Sequence, residues 1–578
     1  MGKPVPVPFP LSSFPGANPA LAGLLNASAQ QGAGRLIGCY AEPLGEPSRP
    51  SAPAPQVYRG SAGLAQHAIT AQTGYRGGLL VKNLSYEIFL NRALTVDVGG
   101  NVVDLGAFPG TKKVSIARDQ AATPDVVAVD VDNGAYQLST GGAPAAYNGG
   151  GNLPQPNSVC NQDGYFFFTI ADGRVFASAL NALTQNALTF ITCQAKADVT
   201  LLRGIPFQGY LLLFTTGSCE IWQDVANPAP AFPYGRQTVI EVGLVQSAAI
   251  AGWETGFSEL LWVGQDHGVY WLTPGSLAPV RVSPPDLERL IEDTVQDGNL
   301  LDAGCYISGG KKFWHLSSPS WTWEFNIGTK KWNERMSLNG GVYGRWRGTC
   351  GHPAFNRWLV GDTLSGNILY LEDESFNENG ALLLFRIESG PVMDFPQALR
   401  IARADFNFVM GVDDPVGYYK MTVLGAGAGT GGVVRLTVNQ TAQAKTGEQV
   451  KVEGVNGTVE ANGAWVMTVV DANHIELQGT VFANVYISGG IATDLTAPVG
   501  AISPQCAISC SKDGGISWDT PSIRSLAAQG KIKRARASVK NRGQSGPMGV
   551  RWRIDITDPV YRGFLGATMS SNPSEMAP

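Results

Sequence analysis

The sequence carries little charge of either sign and has no long apolar run. Only 15% of its 578 residues are Asp, Glu, Lys or Arg, and the formal net charge is −5. A protein coated in basic residues for nucleic-acid binding is therefore not indicated. No stretch approaches the roughly 18 consecutive apolar residues of a membrane span. The amino-terminal MGKPVPVPFPLSSFPG also lacks the basic start and continuous apolar core of a signal peptide, so we expect a soluble protein made in the cytoplasm, with no membrane span.

Residue patterns that bind metals or carry catalysis are also missing. Of the eight cysteines only Cys506 and Cys510 lie close together, and C-x₃-C is not a zinc-ribbon spacing. We expect reduced, mostly buried thiols. No Walker loop, dinucleotide fingerprint or G-x-S-x-G elbow occurs. None of the histidines has a paired-ligand spacing, and we expect packed or solvated side chains at His67, His267, His315, His352 and His474.

A glycosidase needs two carboxylates that flank the scissile bond. The acids of this sequence are scattered, and the candidates Asp266, Glu324 and Asp362 occupy predicted turns or outer strands. We single out none of them. We therefore predict no catalytic residue, no cofactor-binding residue, no metal ligand, no cofactor and no enzymatic activity.

What the sequence does contain is turn residues and short apolar runs. It has 71 Gly and 36 Pro, and 44% of its residues are apolar. Over residues 57–410, pairs of short apolar runs enclose turns such as Asn133-Gly134 and Asp172-Gly173, which are β-hairpin signals. The hairpins recur every 40 to 60 residues or so, the length of a four-stranded propeller blade. The sequence predicts an all-β protein with a β-propeller, which we favour over a sandwich.

The composition divides the chain into four parts. Residues 1–56 are rich in Pro, Ala, Gly and Ser and predict an extended arm, in which residues 34–44 form a docked strand or extended segment. Residues 57–410 predict the first part of the propeller. Residues 411–500 are nearly free of Pro and alternate strongly, which predicts an inserted small β-barrel or sandwich-like module of five strands. Residues 501–578 predict the closing strands of the propeller.

One helix is predicted over SPPDLERLIEDTV, residues 283–295. Ser283 is the expected N-cap and Pro284 the expected first helical residue. An apolar stripe recurs at three- and four-residue intervals and predicts core packing; it consists of Leu287, Leu290, Ile291 and Val295.

Two local clusters and one turn motif have a functional and a structural interpretation. Residues 511–518 fit the Asp-box pattern S-x-D-x-G-x-[ST]-W, in which Asp513 binds turn backbone and Trp518 packs beneath the hairpin. Asp boxes occur in sialidases and in non-catalytic propellers, and we favour the structural role. Aromatic residues are also concentrated in one region: Trp314, Trp321, Trp323, Trp332, Tyr343, Trp346 and Trp358. Such a cluster would bind sugar or another protein, or it would pack in the protein core, and we favour core packing.

The carboxyl-terminal region has a local excess of basic residues: Lys531, Lys533, Arg534, Arg536, Lys540, Arg542, Arg551 and Arg553. They would face an acidic partner or passing DNA. Alternatively, they form a charged edge strand that discourages aggregation, and this alternative is favoured. Without interleaved exposed aromatics, a dedicated nucleic-acid groove is not expected.

Three stretches together resemble the packaged-DNA stabilisation proteins, or tail accessory factors, of short-tailed bacteriophages. They are LLRGIPFQGYLLLFTTGSCEIWQDV with AFPYGR and VIEVGLVQ; LLWVGQDHGVYWLTPGSLAPVRVSPPDLERLI; and SKDGGISWDTP with KRARASVKNRG and VRWRIDITDPV. The inserted region, VRLTVNQ to TGEQVKVEGVNGTVEANGAWVMTVVDANHIELQG, is similar to a small β module of many phage tail proteins that is named after ubiquitin-activating enzymes. The insertion and the proline-rich arm depart from the family pattern.

The resemblance implies a structural tail-hub protein of the virion. It implies a homohexameric ring that closes the portal–tail channel, retains the packaged DNA and links the adaptor to the tail needle, fibres or spikes, near the genome DNA. We expect the inserted module to point outward and bind fibres. The rival hypothesis is a carbohydrate-binding or glycan-hydrolysing propeller of a receptor-binding tail protein. A bacterial surface adhesin is disfavoured by the missing secretion signal.

Overall fold

The computed structural model is built almost entirely of β-strands. It describes residues 4–13, 34–45, 56–139, 142–197, 199–228, 230–393, 398–409, 418–441, 444–498, 504–526, 534–546 and 549–574. These residues contain 49 strands, one α-helix and four 3₁₀ helices (Gly149–Gly151, Trp253–Thr255, Thr430–Gly432 and Val459–Ala461). Two compact units are present. Unit 1 contains the described residues of Met1–Ala65, Lys331–Val342 and Glu372–Pro578, and unit 2 those of Gln66–Lys330 and Tyr343–Leu371.

The amino-terminal part of the chain forms short strands. They are β1 (Val5–Pro6), β2 (Arg35–Ile37), β3 (Cys39–Pro43), β4 (Gln56–Gly60) and β5 (Gly63–Ile69), of which β5 runs from unit 1 into unit 2. The apolar run of residues 34–44 thus forms two strands, as expected. The predicted end of the arm, at residue 56, is the first residue of β4.

Unit 2 begins with five antiparallel sheets of four consecutive strands. The first sheet is β6 (Gly77–Val81), β7 (Leu84–Phe89), β8 (Arg92–Asp97) and β9 (Val102–Ala107). The second is β10 (Ser115–Arg118), β11 (Val126–Asp130), β12 (Gly134–Leu138) and β13 (Ala145–Tyr147). The third is β14 (Ser158–Gln162), β15 (Tyr165–Thr169), β16 (Arg174–Ser178) and β17 (Gln185–Thr192). The fourth and fifth are β18 (Leu201–Phe207), β19 (Tyr210–Thr215), β20 (Cys219–Asp224) and β21 (Tyr234–Ile240), and β22 (Ile250–Ala251), β23 (Leu260–Val263), β24 (Val269–Leu272) and β25 (Val280–Arg281).

Two further sheets complete unit 2. The helix α1 (Pro285–Gln296) leads to the sixth sheet, β26 (Asp302–Ser308), β27 (Lys311–Ser317) and β28 (Thr322–Asn326). The next strands are β29 (Lys331–Glu334), β30 (Met336–Asn339) and β31 (Val342–Arg345). The seventh sheet has the order β32 (Gly348–Ala354), β33 (Arg357–Asp362), β34 (Asn367–Glu372) and then β5.

The first strands of these seven sheets, together with the 3₁₀ helix Trp253–Thr255 that follows β22, contact one another in a closed cycle. β6 contacts β10, β10 contacts β14, and β14 contacts β18; β18 contacts the 3₁₀ helix after β22, and the cycle continues through β26 and β32 back to β6. This is the arrangement of a seven-bladed β-propeller. Because β5 precedes the first blade and pairs in the last one, backbone hydrogen bonds close the ring. The all-β and propeller predictions are confirmed.

Burial on both faces explains the continuous apolar runs of the blades. In β15, Phe166 and Phe168 pack in one cluster with Val127 of the second sheet. Phe167 packs in another cluster with Leu211 of the fourth sheet. Alternate residues of a strand point to opposite faces, so a neighbouring blade covers each face of the third sheet.

The ring closure places a glycine against backbone, and this gives a first prediction. A Cβ atom at Gly366 would lie 1.9 Å from the carbonyl oxygen of Gln72, next to the joint between β5 and β34. We expect Gly366→Ala to lower the free energy of unfolding by about 1–3 kcal/mol, because a backbone atom must move. The measurement is urea unfolding. Gly344→Ala is the control, since the nearest atom to its Cβ would be 3.9 Å away, and equal stability of the two variants would contradict the prediction.

The helix is present, but its start differs from the prediction. Pro284 is the N-cap and Pro285 the first helical residue, and the cap makes no side-chain hydrogen bond. The Ser283 hydroxyl instead accepts the N–H of Val269 at 2.9 Å and donates to Glu288 at 2.6 Å. The local pattern assigned the Ser283 side chain to the helix cap, but this side chain hydrogen-bonds to β24 instead. Of the predicted stripe, Leu287 and Ile291 are buried, whereas Leu290 and Val295 are partly exposed.

A closed barrel follows the long strand β38 in the sequence. After β35 (Asn377–Glu378), β36 (Ala381–Leu382), β37 (Phe385–Glu388) and β38 (Ala398–Val409) come the barrel strands β39 (Tyr418–Ala428), β40 (Val434–Val438), β41 (Gln449–Glu453), β42 (Gly463–Asp471), β43 (His474–Gln478) and β44 (Ile491–Pro498). Their order around the barrel is β39-β40-β43-β42-β41-β44. The barrel has its own apolar core, which includes Met421, Leu436 and Ile475. It has six strands where five were expected; the predicted module boundaries at 410/411 and 500/501 lie outside the described residues and stay predictions.

The remaining strands of unit 1 form two sheets that share one core. They are β45 (Gln505–Ser511), β46 (Ser522–Ser525), β47 (Arg534–Gln544), β48 (Arg551–Ile556) and β49 (Gly563–Ser574). One sheet has the order β3-β4-β49-β38-β47, and the other contains β29-β2-β37-β48-β45-β46. Phe406 of the first sheet and Trp552 of the second meet edge to face, with ring centroids 5.3 Å apart.

This arrangement corrects the prediction that residues 501–578 close the propeller. The strands predicted there exist, but they pair with one another and with β1, β4, β37 and β38 inside unit 1, and β5 closes the ring instead. Alternating polarity identifies a strand but not its partner, which is why the sequence pattern alone misassigned them.

Candidate functional site

The three acids considered for glycoside hydrolysis each have an internal partner. Asp266 lies in the turn after β23, and Arg281 contacts its carboxylate at 3.2 Å. Glu324 lies in β28, completely buried, and accepts the Tyr306 hydroxyl at 2.6 Å. Asp362 ends β33, and its carboxylate binds Arg347 at 2.6 Å. Because Glu324 and Asp362 are buried and each is bound by a neighbouring side chain, structural roles are favoured for both.

The histidines are packed or solvated, as expected. His67, His315 and His352 are buried. His267, in a turn, and His474, the first residue of β43, are partly exposed. No group of three or more His, Cys, Asp or Glu side chains in the described part of the chain could hold a metal ion.

The Asp box forms the predicted turn. The Asp513 carboxylate accepts the N–H groups of Ile516 and Ser517, at 3.1 and 3.0 Å. Gly514 and Gly515 both have positive φ. Burial by itself would raise the pKa of Asp513, but the hydrogen bonds from Ser517 and Ser511 hold it well below its usual range. Because its carboxylate is occupied by the turn, Asp513 supports the structural interpretation.

The aromatic cluster is mostly core, as favoured. Trp314, Trp323, Trp332 and Trp346 are buried, while the partly exposed members are Trp321, Tyr343 and Trp358. Trp358 packs edge to face on Phe257, with ring centroids 5.5 Å apart.

The propeller contains a charged cluster that the sequence did not reveal. The Lys113 ammonium donates to Asp302 Oδ1 at 2.8 Å and to the Ala303 carbonyl at 2.6 Å. Arg345 donates to the other carboxylate oxygen at 3.2 Å, and the Thr349 hydroxyl also binds it. Burial by itself would raise the pKa of Asp302, but Lys113 and Arg345 hold it well below its usual range. The cluster ties β26 to the segment before β10, to the end of β31 and to β32.

A second interior cluster joins the first and seventh blades. Ser85 Oγ lies 2.9 Å from His352 Nε2, and the Tyr75 hydroxyl donates to Glu87 at 2.6 Å. A serine within hydrogen-bond distance of a histidine is a nucleophile–base geometry. Ser85 and Glu87, however, are 0% exposed, and His352 is 4% exposed. A substrate does not reach this hydroxyl in the structure, and the cluster holds two blades together. His352 is 267 positions from Ser85 in the sequence, so no motif could have indicated the pair.

The cysteines give a second prediction. All eight are free thiols, and all but Cys193 are buried. Burial raises the pKa of every thiol, to about 11 for Cys350 and to about 12 for Cys506 and Cys510. At pH 8 we expect no thiol of the folded protein to react rapidly with a disulfide reagent, because thiolate is the reactive form. In denaturant, all eight should react. A fast-reacting thiol in the native protein would contradict this.

The basic carboxyl-terminal residues divide into separate groups. Arg551 is buried, and the guanidinium of Arg553 lies over the Trp518 ring at 4.8 Å. Arg542 binds Asp519 at 2.7 Å. Lys531 and Lys533 lie outside the described residues. Only Arg534, Arg536 and Lys540 alternate on the exposed face of β47.

β47 is an edge strand, and its exposed face continues onto β38. Antiparallel pairing places Arg403 opposite Lys540, and Asn407 opposite Arg536. Arg400 is exposed on the same face of β38. We call this surface the basic face; its cations are Arg400, Arg403, Arg534, Arg536 and Lys540. The acid among them is Asp405, which binds Arg403 at 2.9 Å and Arg536 at 2.5 Å.

Comparison with known families identifies the propeller. Residues 49–376 match the family model described as "Bacteriophage P22 Gp10, beta-propeller", which is more than half of the 578 residues. The chain belongs to this family. It is thus a structural protein of a bacteriophage and a virion component, of the packaged-DNA stabilisation or tail accessory class. The match ends before β38, the barrel and the strands β45–β49.

Other comparisons are more remote. No curated protein matches the sequence significantly. Similar solved structures include the WD40 β-propeller domain of Doa1, with TM-score 0.34 and 8% identity over 54% of this chain and 96% of that one. Another is BamB from Moraxella catarrhalis, with TM-score 0.34 and 10% identity over 58% of this chain and 98% of that one. Among the described residues, no helix combines the length and the apolar character needed to cross a membrane.

Proposed function

We propose that this protein is a tail hub. It closes the portal–tail channel after packaging, retains the DNA and links the adaptor to the tail needle or to fibres, as a homohexameric ring and without enzymatic activity. The family match over residues 49–376 carries the proposal.

The interior of unit 2 supports a scaffold role. The Asp302 carboxylate is held by Lys113 and Arg345, and the Ser85–His352 pair is buried. Charged groups paired in this way join blades to one another. In the proposed homohexameric ring, binding to the other tail proteins is strengthened by multivalency, because each of the subunits adds contacts around one axis.

The test is the mass and symmetry of the purified protein, alone and mixed with the portal–adaptor complex of its phage. We expect assembly onto that complex as a six-fold ring, visible by electron microscopy and mass photometry. A persistent monomer that ignores the complex would overturn the proposal. If that monomer bound or cleaved surface glycan, the receptor-binding hypothesis would replace it.

We further propose that the barrel, β39–β44, is an attachment module for fibres. It has its own core, and the residues at its two ends, Tyr418 and Pro498, are paired opposite each other. The module can therefore be replaced by a short Gly-Ser linker with little displacement of the flanking chain.

Deletion of residues 418–498 tests this module proposal. We expect the shortened protein to assemble on the portal–adaptor complex but to lose fibre attachment in a pull-down. Because β47 and β49 pair with β38 outside the barrel, the rest of unit 1 should fold. Undiminished fibre attachment by a folded deletion variant would refute the module's role and leave the hub proposal intact.

A further inference from the structure

The basic face concentrates positive charge in a protein whose net charge is negative. Five cations and one carboxylate occupy the outward side of β38 and β47, which leaves a local charge of about +4. The whole chain has a formal net charge of −5. Charge of this density on one face needs a physical explanation.

Protection of a sheet edge explains only part of this charge. Edge strands carry charges that block pairing with other chains, and β47 is such a strand. Arg400 and Arg403, however, lie on β38, which has β47 on one side and β49 on the other. An inner strand has no edge to protect.

The edge of β47 also has a separate protecting group. The Arg524 guanidinium of β46 donates to the backbone carbonyl of Ser538 at 2.8 Å. The carbonyl that would otherwise accept a hydrogen bond from an added strand is occupied at this point. The cations of the basic face are thus available for a different partner.

The side chains of the basic face are partly preorganised. Asp405 holds Arg403 and Arg536 side by side, while their side chains stay 40% and 58% exposed. Arg403 also donates to the Ser538 hydroxyl at 3.2 Å. Residues two apart on a strand are separated by about 6.8 Å, and neighbouring strands by about 4.8 Å. The face is therefore a regular grid of guanidinium and ammonium donors.

The composition of this face selects the class of partner. Protein interfaces concentrate binding energy in aromatic and apolar anchors, and none of the described residues of β38 and β47 is an exposed large hydrophobic side chain. Stacking on single-stranded bases would require aromatic platforms. Contact with the phosphates of a duplex requires only cations and hydrogen-bond donors.

We propose that the basic face binds the phosphate backbone of double-stranded DNA without sequence preference. Arg400, Arg403, Arg534, Arg536 and Lys540 contact the phosphates. This inference rests on the geometry of unit 1 and does not depend on the hub proposal.

The test uses the full-length protein and a fluorescent 20-base-pair duplex, with anisotropy measured over a series of salt concentrations. The key variant combines Arg400→Gln, Arg534→Gln and Lys540→Gln. These three positions are exposed, and they are not the two arginines that Asp405 binds. The logarithm of the association constant falls by about 0.9 per decade of salt for each phosphate neutralised. We expect the triple variant to lower this slope by about 2–3 and to bind at least ten-fold more weakly at low salt.

The control variant is Lys82→Gln with Arg118→Gln and Arg289→Gln, which removes the same charge from exposed positions of unit 2. We expect it to bind DNA like the unaltered protein, and the melting temperatures of both variants show that they are folded. No DNA binding at low salt, or equal losses in the two variants, would overturn the proposal. The proposal would also be overturned if polyglutamate displaced the labelled duplex as effectively as unlabelled DNA of equal charge, because that result identifies an acidic protein as the partner.

Discussion

Replacing Arg76 by alanine is expected to lower the free energy of unfolding by about 3–5 kcal/mol. The Arg76 side chain is 2% exposed, and its guanidinium binds the fully buried carboxylate of Asp130. It also donates to the carbonyls of Lys112 at 2.6 Å and Leu90 at 3.1 Å. The substitution leaves a charge and several acceptors buried without their cation, and breaking a buried pair from one side is costly for this reason.

Urea unfolding at pH 7 measures the effect. The matched control is Arg92→Ala, which removes a half-exposed pair with Asp104 and should cost less than about 1 kcal/mol. The double variant Arg76→Met with Asp130→Asn should be more stable than Arg76→Ala, because it buries no unpaired charge. Equal effects at Arg76 and Arg92 would show that the pair between the first two blades contributes little.

Replacing Asp302 by asparagine is expected to lower the free energy of unfolding by about 3 kcal/mol at neutral pH. The substitution removes the counter-charge of Lys113 and Arg345. In the folded protein these cations outweigh the effect of burial and hold the pKa of Asp302 below its usual value. A lowered pKa means that the carboxylate stabilises the fold fully above about pH 4, its unfolded range.

The stability difference should therefore depend on pH in one direction. It should be constant between about pH 5 and pH 8 and shrink as the pH falls below about 4, where the carboxylate of the unfolded chain takes up a proton. Unfolding of both proteins at a series of pH values measures it. The exposed Asp104→Asn variant is the control and should cost less than about 1 kcal/mol at every pH. A difference that grew on acidification would refute the sign of the effect.

The sequence predicted features that depend on neighbouring residues. The turn at Asp513 follows from an Asp two residues after a Ser and followed by two glycines, all within one hairpin. The helix over Pro285–Gln296 follows from its apolar period and its prolines. The N-cap of this helix was predicted wrongly, because Ser283 hydrogen-bonds to β24 and to Glu288 and Pro284 is the cap.

The charged clusters could not be found in this way. Lys113 and Asp302 are separated by 189 positions, and Ser85 and His352 by 267. Neither pair forms a spacing that a motif could describe. The sequence indicated only part of the basic face. The run of basic residues that contains Arg536 and Lys540 was recognised, whereas Arg400 and Arg403 on β38 were not.

The sequence by itself determined the all-β class, the propeller and the existence of an alternating module, because strand alternation and turn residues act over a few positions. Tertiary structure alone decided the number of blades, the closure of the ring by β5 and the placement of β45–β49 in unit 1 with β38. Strand partners are selected by side-chain packing and backbone hydrogen bonds between segments far apart in the chain. The same long-range pairing placed the cations of β38 and β47 on one face, and with them the proposed DNA-binding surface.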